Sequence, residues 1–126
     1  MDEKEFIRTV SERTGLTRQE AADLTRATLE TLTHRLSTVD ARDLEAELPD
    51  GLAESVHRGT TTRIEHFGWE DTVLRVAERN MLKEDEVDRG IRAVLVVLRE
   101  AVAEREFKHL MSQLGAEFSR TLESAG

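Results

Sequence analysis

Two short motifs carry residue types that bind metals. Residues 54–57 read ESVH and residues 106–109 read EFKH. Both are Glu-x-x-His, a spacing that turns two ligands toward one side of a helix. A carboxylate-bridged di-metal centre needs two such motifs and a further Glu from each of two other long helices. In the internal alignment of this chain His57 falls opposite Glu123 and His109 opposite Asp43, so the motifs occupy non-equivalent places. Solvated surface groups are the plainer reading, and a carboxylate/His metalloprotein is the third-ranked expectation.

A second cluster surrounds three consecutive threonines. His57, Arg58, Arg63 and His66 flank Thr60, Thr61 and Thr62 in an otherwise acidic chain. Arg58, Thr60, Thr61, Thr62 and Arg63 are the candidates for an anion-binding or phosphoacceptor loop, because guanidinium groups pair with phosphate. The plainer alternative is a solvated linker. Nucleophilic chemistry has less support. There is no Cys, no Ser in a nucleophile elbow and no phosphate-binding Gly-rich loop. The reading is of a non-enzymatic protein with no catalytic residues and no cofactor.

The elements that must position these groups come in two copies. Residues 6–57 align with 72–123 at a constant shift of 66 without a gap, with eleven identities that include Val10/Val76, Leu16/Leu82, Arg26/Arg92, Leu29/Leu95 and Leu44/Leu110. Fixed-period self-similarity implies a repeated structural unit. The first unit predicts a helix over 3–14 with Phe6, Ile7 and Val10 on one face, then Gly15 as a left-handed cap. Thr17 and Glu20 make a capping box for a long helix reaching about Leu36. Its seam is Ala22, Thr25, Leu29, Leu32 and Leu36, with Asp88, Ile91, Leu95, Leu98 and Val102 as the twin positions. A third helix starts near Asp40 as N-cap and stops at Pro49, which opens a short fourth one. The expectation is a single all-α domain over 1–126. It consists of two tandem repeats of about four helices, 2–57 and 68–123, joined by a linker at 58–67 and packed as one bundle with an approximate internal twofold.

One difference between the copies bears on partners. Residues 26–32 read RATLETL and residues 92–98 read RAVLVVL. In the first copy Glu30 and Thr31 are expected to face water. The second helix is apolar nearly all round, which demands cover on several sides. Each buried Val contributes about 1.5–3 kcal/mol. Either this helix is the central element, or Val94, Val96 and Val97 form a face for a partner or a homodimer.

Composition limits the remaining partners. With 26 acidic against 18 basic residues, the net charge is −8. Such a protein repels phosphate backbones and anionic lipid surfaces, so neither nucleic acid nor membrane is expected. The acidic N-terminal stretch and the short longest apolar run, 93–98, predict a soluble cytoplasmic protein.

Two resemblances follow from the quoted segments. The succession FIRTV, GLTRQEA, LTRATLETL and DLEAELPDGL, repeated in degraded form, resembles a family of small bacterial and archaeal tandem-helical proteins known as a domain of unknown function. The ELP at 47–49 is its most specific part; the second copy reads QLG at 113–115. That resemblance implies an all-α fold and no assigned activity. Residues 1–36 also resemble the N-terminal helix-turn-helix of the histone-like HU proteins, in which these helices form the dimer core. HU proteins grip DNA with basic β-ribbon arms. Here Leu36 is followed by the acidic STVDARDLEAELPDGL, so the resemblance implies a mode of helix packing and does not carry DNA binding. The leading functional expectation is a module acting by protein–protein binding or self-association. A nucleoid-associated protein related to the HU core is the alternative.

Overall fold

Local signals set the helix ends. The Asp2 carboxylate accepts from the Glu5 amide at 2.8 Å and starts α1 (Glu3–Thr14), which Gly15 ends at φ 78°. Glycine adopts that left-handed conformation without a side-chain clash. Thr17 and Glu20 form the expected capping box, at 3.1 and 2.9 Å, for α2 (Arg18–Thr33). Pro49 lacks an amide hydrogen and precedes α4 (Asp50–Gly59). The computed structural model describes residues 1–124. Among them the other helices are α3 (Thr38–Glu45), α5 (Trp69–Ala77), α6 (Glu84–Ala101), α7 (Glu104–Leu114) and α8 (Ala116–Ser124), with no strand. The all-α expectation holds. None of the described helices is long and apolar enough to cross a membrane.

The 66-residue shift recurs in the architecture. α1 to α4 begin at Glu3, Arg18, Thr38 and Asp50, and α5 to α8 begin at Trp69, Glu84, Glu104 and Ala116, each 66 residues later. The packing is reciprocal. α1 lies on α2 and on α6, while α5 lies on α6 and on α2. α2 meets α6, and α3 meets α7. The hairpins α3–α4 and α7–α8 also answer one another.

α2 and α6 form the centre, and the whole predicted seam of α2 is buried, as are Ile91, Leu95, Leu98 and Val102 of its twin. The amphipathic reading of α2 requires correction. Thr31 is only 3% exposed, and Thr25 and Thr28 are fully buried, because α1, α4, α5 and α6 surround this helix. Glu30 stays half-buried and pairs with Arg79 of the second half.

Three boundaries also differ. The N-cap of α3 is Ser37, whose hydroxyl accepts from the Asp40 amide at 3.1 Å, so Asp40 sits inside the helix and its carboxylate takes no part in the cap. α2 ends at Thr33, and the chain turns before Leu36. The linker runs over residues 60–68 rather than 58–67, since α4 continues through Gly59. It is tied down. The Glu65 amide donates to the His34 carbonyl at 2.9 Å, and Phe67 is buried under Arg75, whose guanidinium carbon lies 3.8 Å from the ring centroid.

One packing difference separates the halves. α4 lies along α2 over most of its length and buries Leu52, Ser55, Val56 and Gly59, whereas α8 meets α6 over only a few residues and buries Phe118 alone. The sequence explains this. Gly51, Ser55 and Gly59 repeat along α4 at four-residue spacing, and a Cβ at Gly59 would sit 2.8 Å from the Thr33 Cβ. The positions that answer Gly51 and Ser55 on α8 are Glu117 and Thr121, and Glu117 turns to the Trp69 amide at the start of α5.

Candidate functional site

Between α7 and α8 lies an open groove of about 580 Å³, with Arg99 of α6 at one end. α7 is positioned from both ends. The Glu47 carboxylate accepts from the Ala103 amide at 2.7 Å, just before its first turn. At its other end the Leu114 carbonyl accepts from Arg35 Nη1 at 2.7 Å, and Gly115 turns the chain at φ 97°. α8 is held from outside the groove. The Glu117 carboxylate accepts from the Trp69 amide at 2.9 Å, and Phe118 packs edge-on against the Trp69 ring, with centroids 5.5 Å apart.

Phe107 and Met111 form the apolar floor of the groove, 7% and 8% exposed. Lys108 and Glu104 pair on its rim at 3.2 Å. Arg99 is exposed, lies 5.9 Å from the Phe107 centroid and has no ion pair among the described residues. An apolar floor beside a cation can take an apolar side chain with a carboxylate next to it.

A second cleft, about 530 Å³, opens on the opposite side of α7, between it and α3. Asp43, Glu47, Arg105, Glu106 and His109 line it. His109 Nε2 lies 2.8 Å from Asp40 Oδ1. That hydrogen bond and the Asp40 charge push the imidazole pKa up from its ordinary value, against a small burial effect. Glu106 is also pushed up, first by burial and then by the Glu47 and Asp43 carboxylates. Asp40, Asp43 and Glu47 are the residues that motif reading passes over. The signal for them is positional, since Asp43 answers His109 and Asp40 answers Glu106 under the 66-residue shift.

The histidines of both Glu-x-x-His motifs turn to α3, but to different faces of it. Glu54 pairs with Arg58 at 2.7 Å and His57 with Glu45 at 3.5 Å, while His109 turns to Asp40. Glu45 and Asp40 are five residues apart on α3, hence about 140° apart around its axis. Among the described residues no group of three or more His, Cys, Asp or Glu is placed to hold a metal ion.

In the threonine segment Arg58 is engaged by Glu54. Thr60 Oγ1 donates to the Val56 carbonyl at 3.2 Å. Thr61 Oγ1 donates to the Arg63 carbonyl and accepts from the Arg63 amide, closing a small turn. Thr62 and the Arg63 side chain are exposed. Three of the five candidates are thus occupied by local bonds.

Of the three valines, Val94 and Val97 are fully buried within the chain, so they do not form a partner face. The cause is the central position of α6 between α1, α2 and α5. Val96 is half-buried and lines a shallow depression with Arg13, Arg92 and Ser124. Val96 stands where the first copy has Glu30, the partner of Arg79. Arg13, the residue that answers Arg79, pairs instead with Glu100 at 2.8 Å.

No curated protein matches this chain. The tandem helices, the ELP bend and the sequence from the first helix into the last are covered by a single family model over residues 3–121, and the chain belongs to that family, described as uncharacterized conserved protein (DUF2267).

Proposed function

We propose that the protein is a non-enzymatic helical module, two copies of a four-helix unit related by an approximate internal twofold, that acts by binding protein through the groove of the second copy. The reciprocal packing of the helices and the shared helix starts support the duplicated design. The observation that carries the binding role is the contrast between equivalent hairpins. Where α4 closes against α2, α8 stands off α6 and leaves Phe107 and Met111 beside Arg99 as an open, mixed surface. An amphipathic helix fits this chemistry, with an apolar side chain on the floor and a carboxylate at Arg99. The source of that helix is another chain or a second copy of this one.

A photo-crosslinking residue at Ser112 in the groove, paired with one at Glu12 on the outer face of α1, tests the reading in the native cell. A discrete adduct is expected from position 112, absent from position 12 and lost in Arg99→Glu, which alters an exposed groove residue. An adduct of twice the chain mass means self-association, and any other mass means a foreign partner. Equal labelling from both positions, or an adduct indifferent to Arg99→Glu, overturns it.

A further inference from the structure

α3 and α7 are the same element of the two units, so a pair of positions across their contact occurs twice. Positions 40 and 43 on α3 answer 106 and 109 on α7. One version of the pair is Asp40 with His109, joined at 2.8 Å. The other is Asp43 with Glu106, two carboxylates lining one cleft, with Glu47 close by. The contact therefore combines one bonded pair and one repelling pair. Each gains from a proton: the first when the imidazole is charged, the second when neutralising Glu106 removes its repulsion with Asp43 and Glu47.

We propose that the α3–α7 junction is a proton-operated latch, which grips α7 on mild acidification and loosens it at alkaline pH. The direction follows from linkage. Both His109 and Glu106 hold protons more firmly in the folded junction than at their ordinary values of 6.5 and 4.5. Their stabilisation is fully present below those ordinary values and is lost as pH rises through the higher folded ones. The charged His109 imidazole opposes protonation of Glu106 in part, and Arg105 lines the same cleft. Arg99 of α6 and Glu123 of α8 line the groove on the other side of α7. The Glu47 carboxylate also accepts from the Ala103 amide at 2.7 Å, which ties the start of α7 to the end of the α3 segment. Because α7 is also a wall of the groove, the latch would tune binding there; only that consequence rests on the proposed function.

Amide hydrogen exchange on the full chain, corrected for intrinsic rates and read against core amides of α1, tests the latch without any partner. Protection across α3 and α7 is expected to be severalfold higher at pH 5.5 than at pH 8. His109→Gln removes most of that difference, and Glu106→Gln raises protection at pH 8 toward its acidic value. In the same samples the His109 imidazole titrates above its ordinary value, and Asp40→Asn brings it down. Equal protection at both pH values, or a difference that survives His109→Gln unchanged, overturns the latch. His109 is exposed and Glu106 half-buried, each change to Gln keeps a polar side chain of similar size, and Asp40→Asn supplies an independent readout through the imidazole. The exchange readout needs no partner and the cross-link needs no pH change, so the two ideas fail separately.

Discussion

Leu24 of α2 fills the space that a missing side chain leaves at Gly90 of α6. A Cβ at Gly90 would clash with Leu24 Cδ2 and approach its Cδ1 to 3.0 Å. These two residues are the same position of the 66-residue unit, so at the meeting of the central helices one copy is large and the other absent. Two leucines would not fit and two glycines would leave a void.

Gly90→Leu is therefore expected to destabilise by about 1–3 kcal/mol, since the buried Leu24 has little room to retreat. Leu24→Gly alone costs more, about 3–5 kcal/mol, through the cavity and the flexible backbone. Denaturant unfolding of the exchanged variant, Leu24→Gly with Gly90→Leu, should show a loss well below the sum of the two single changes. A simple sum would mean that the two positions are not coupled.

The opening of a threonine helix onto a valine helix leads to a stabilising change. The hydroxyls of Thr25 and Thr28 are buried and lack hydrogen-bond partners, while the answering residues are Ile91 and Val94. An unsatisfied buried hydroxyl costs about 1–3 kcal/mol. Thr28→Val keeps the shape and removes that cost, so a gain of about 1 kcal/mol, or a rise in Tm of roughly 3–5 °C, is expected by calorimetry. A lower Tm would show that the hydroxyl is satisfied in solution.

Arg35 joins three segments. It donates to the Leu114 carbonyl at 2.7 Å and lies 5.1 Å from the Phe118 centroid and 5.7 Å from that of Phe67. Burial holds its pKa below the ordinary value, opposed by the nearby Glu117 charge. Arg35→Met should cost about 1.5–3 kcal/mol, the range for a hydrogen bond from a charged group. Arg35→Lys should recover only part of it, because an ammonium cannot stack its plane on the two rings. Equal stability of the Lys variant and wild type would reduce Arg35 to a simple charge.

Neighbouring valines of α6 separate core from surface. Val97 is fully buried, and Val97→Glu should leave little folded protein at room temperature because a lone charge enters the core. Val96→Glu, by contrast, restores the residue type found at position 30 and sits beside Arg13. It should change stability by no more than about 0.5 kcal/mol. A wild-type dimer in light scattering, split by Val97→Glu into folded monomers, would contradict the burial of that residue.

Close approach at α4 provides a last test. Gly59→Ala places a Cβ against the Glu30 carbonyl, a backbone atom that cannot swing aside, and 2.8 Å from Thr33 Cβ. A loss of about 1–3 kcal/mol is expected in chemical denaturation despite the better helix propensity of Ala. A gain in stability would mean that α4 already stands off α2 as α8 does from α6.

The sequence by itself determined the elements. Caps, Gly15, the capping box of Thr17 and Glu20 and the bend at Pro49 act within a few residues of chain, so their physics is local and legible. The apolar seam of α2 and α6 was legible for the same reason, because helical period shows on one strand of text. Tertiary structure decided which polar residues lie inside and which helices meet. Thr31 reads as a surface residue until α1, α4, α5 and α6 close around α2. The metal-like spacing of Glu106 and His109 became half of a junction with Asp40 and Asp43, residues more than sixty positions away. Burial and charge pairing depend on what lies across the contact, and no local pattern encodes that; only the 66-residue alignment hinted at it, by setting Asp43 opposite His109.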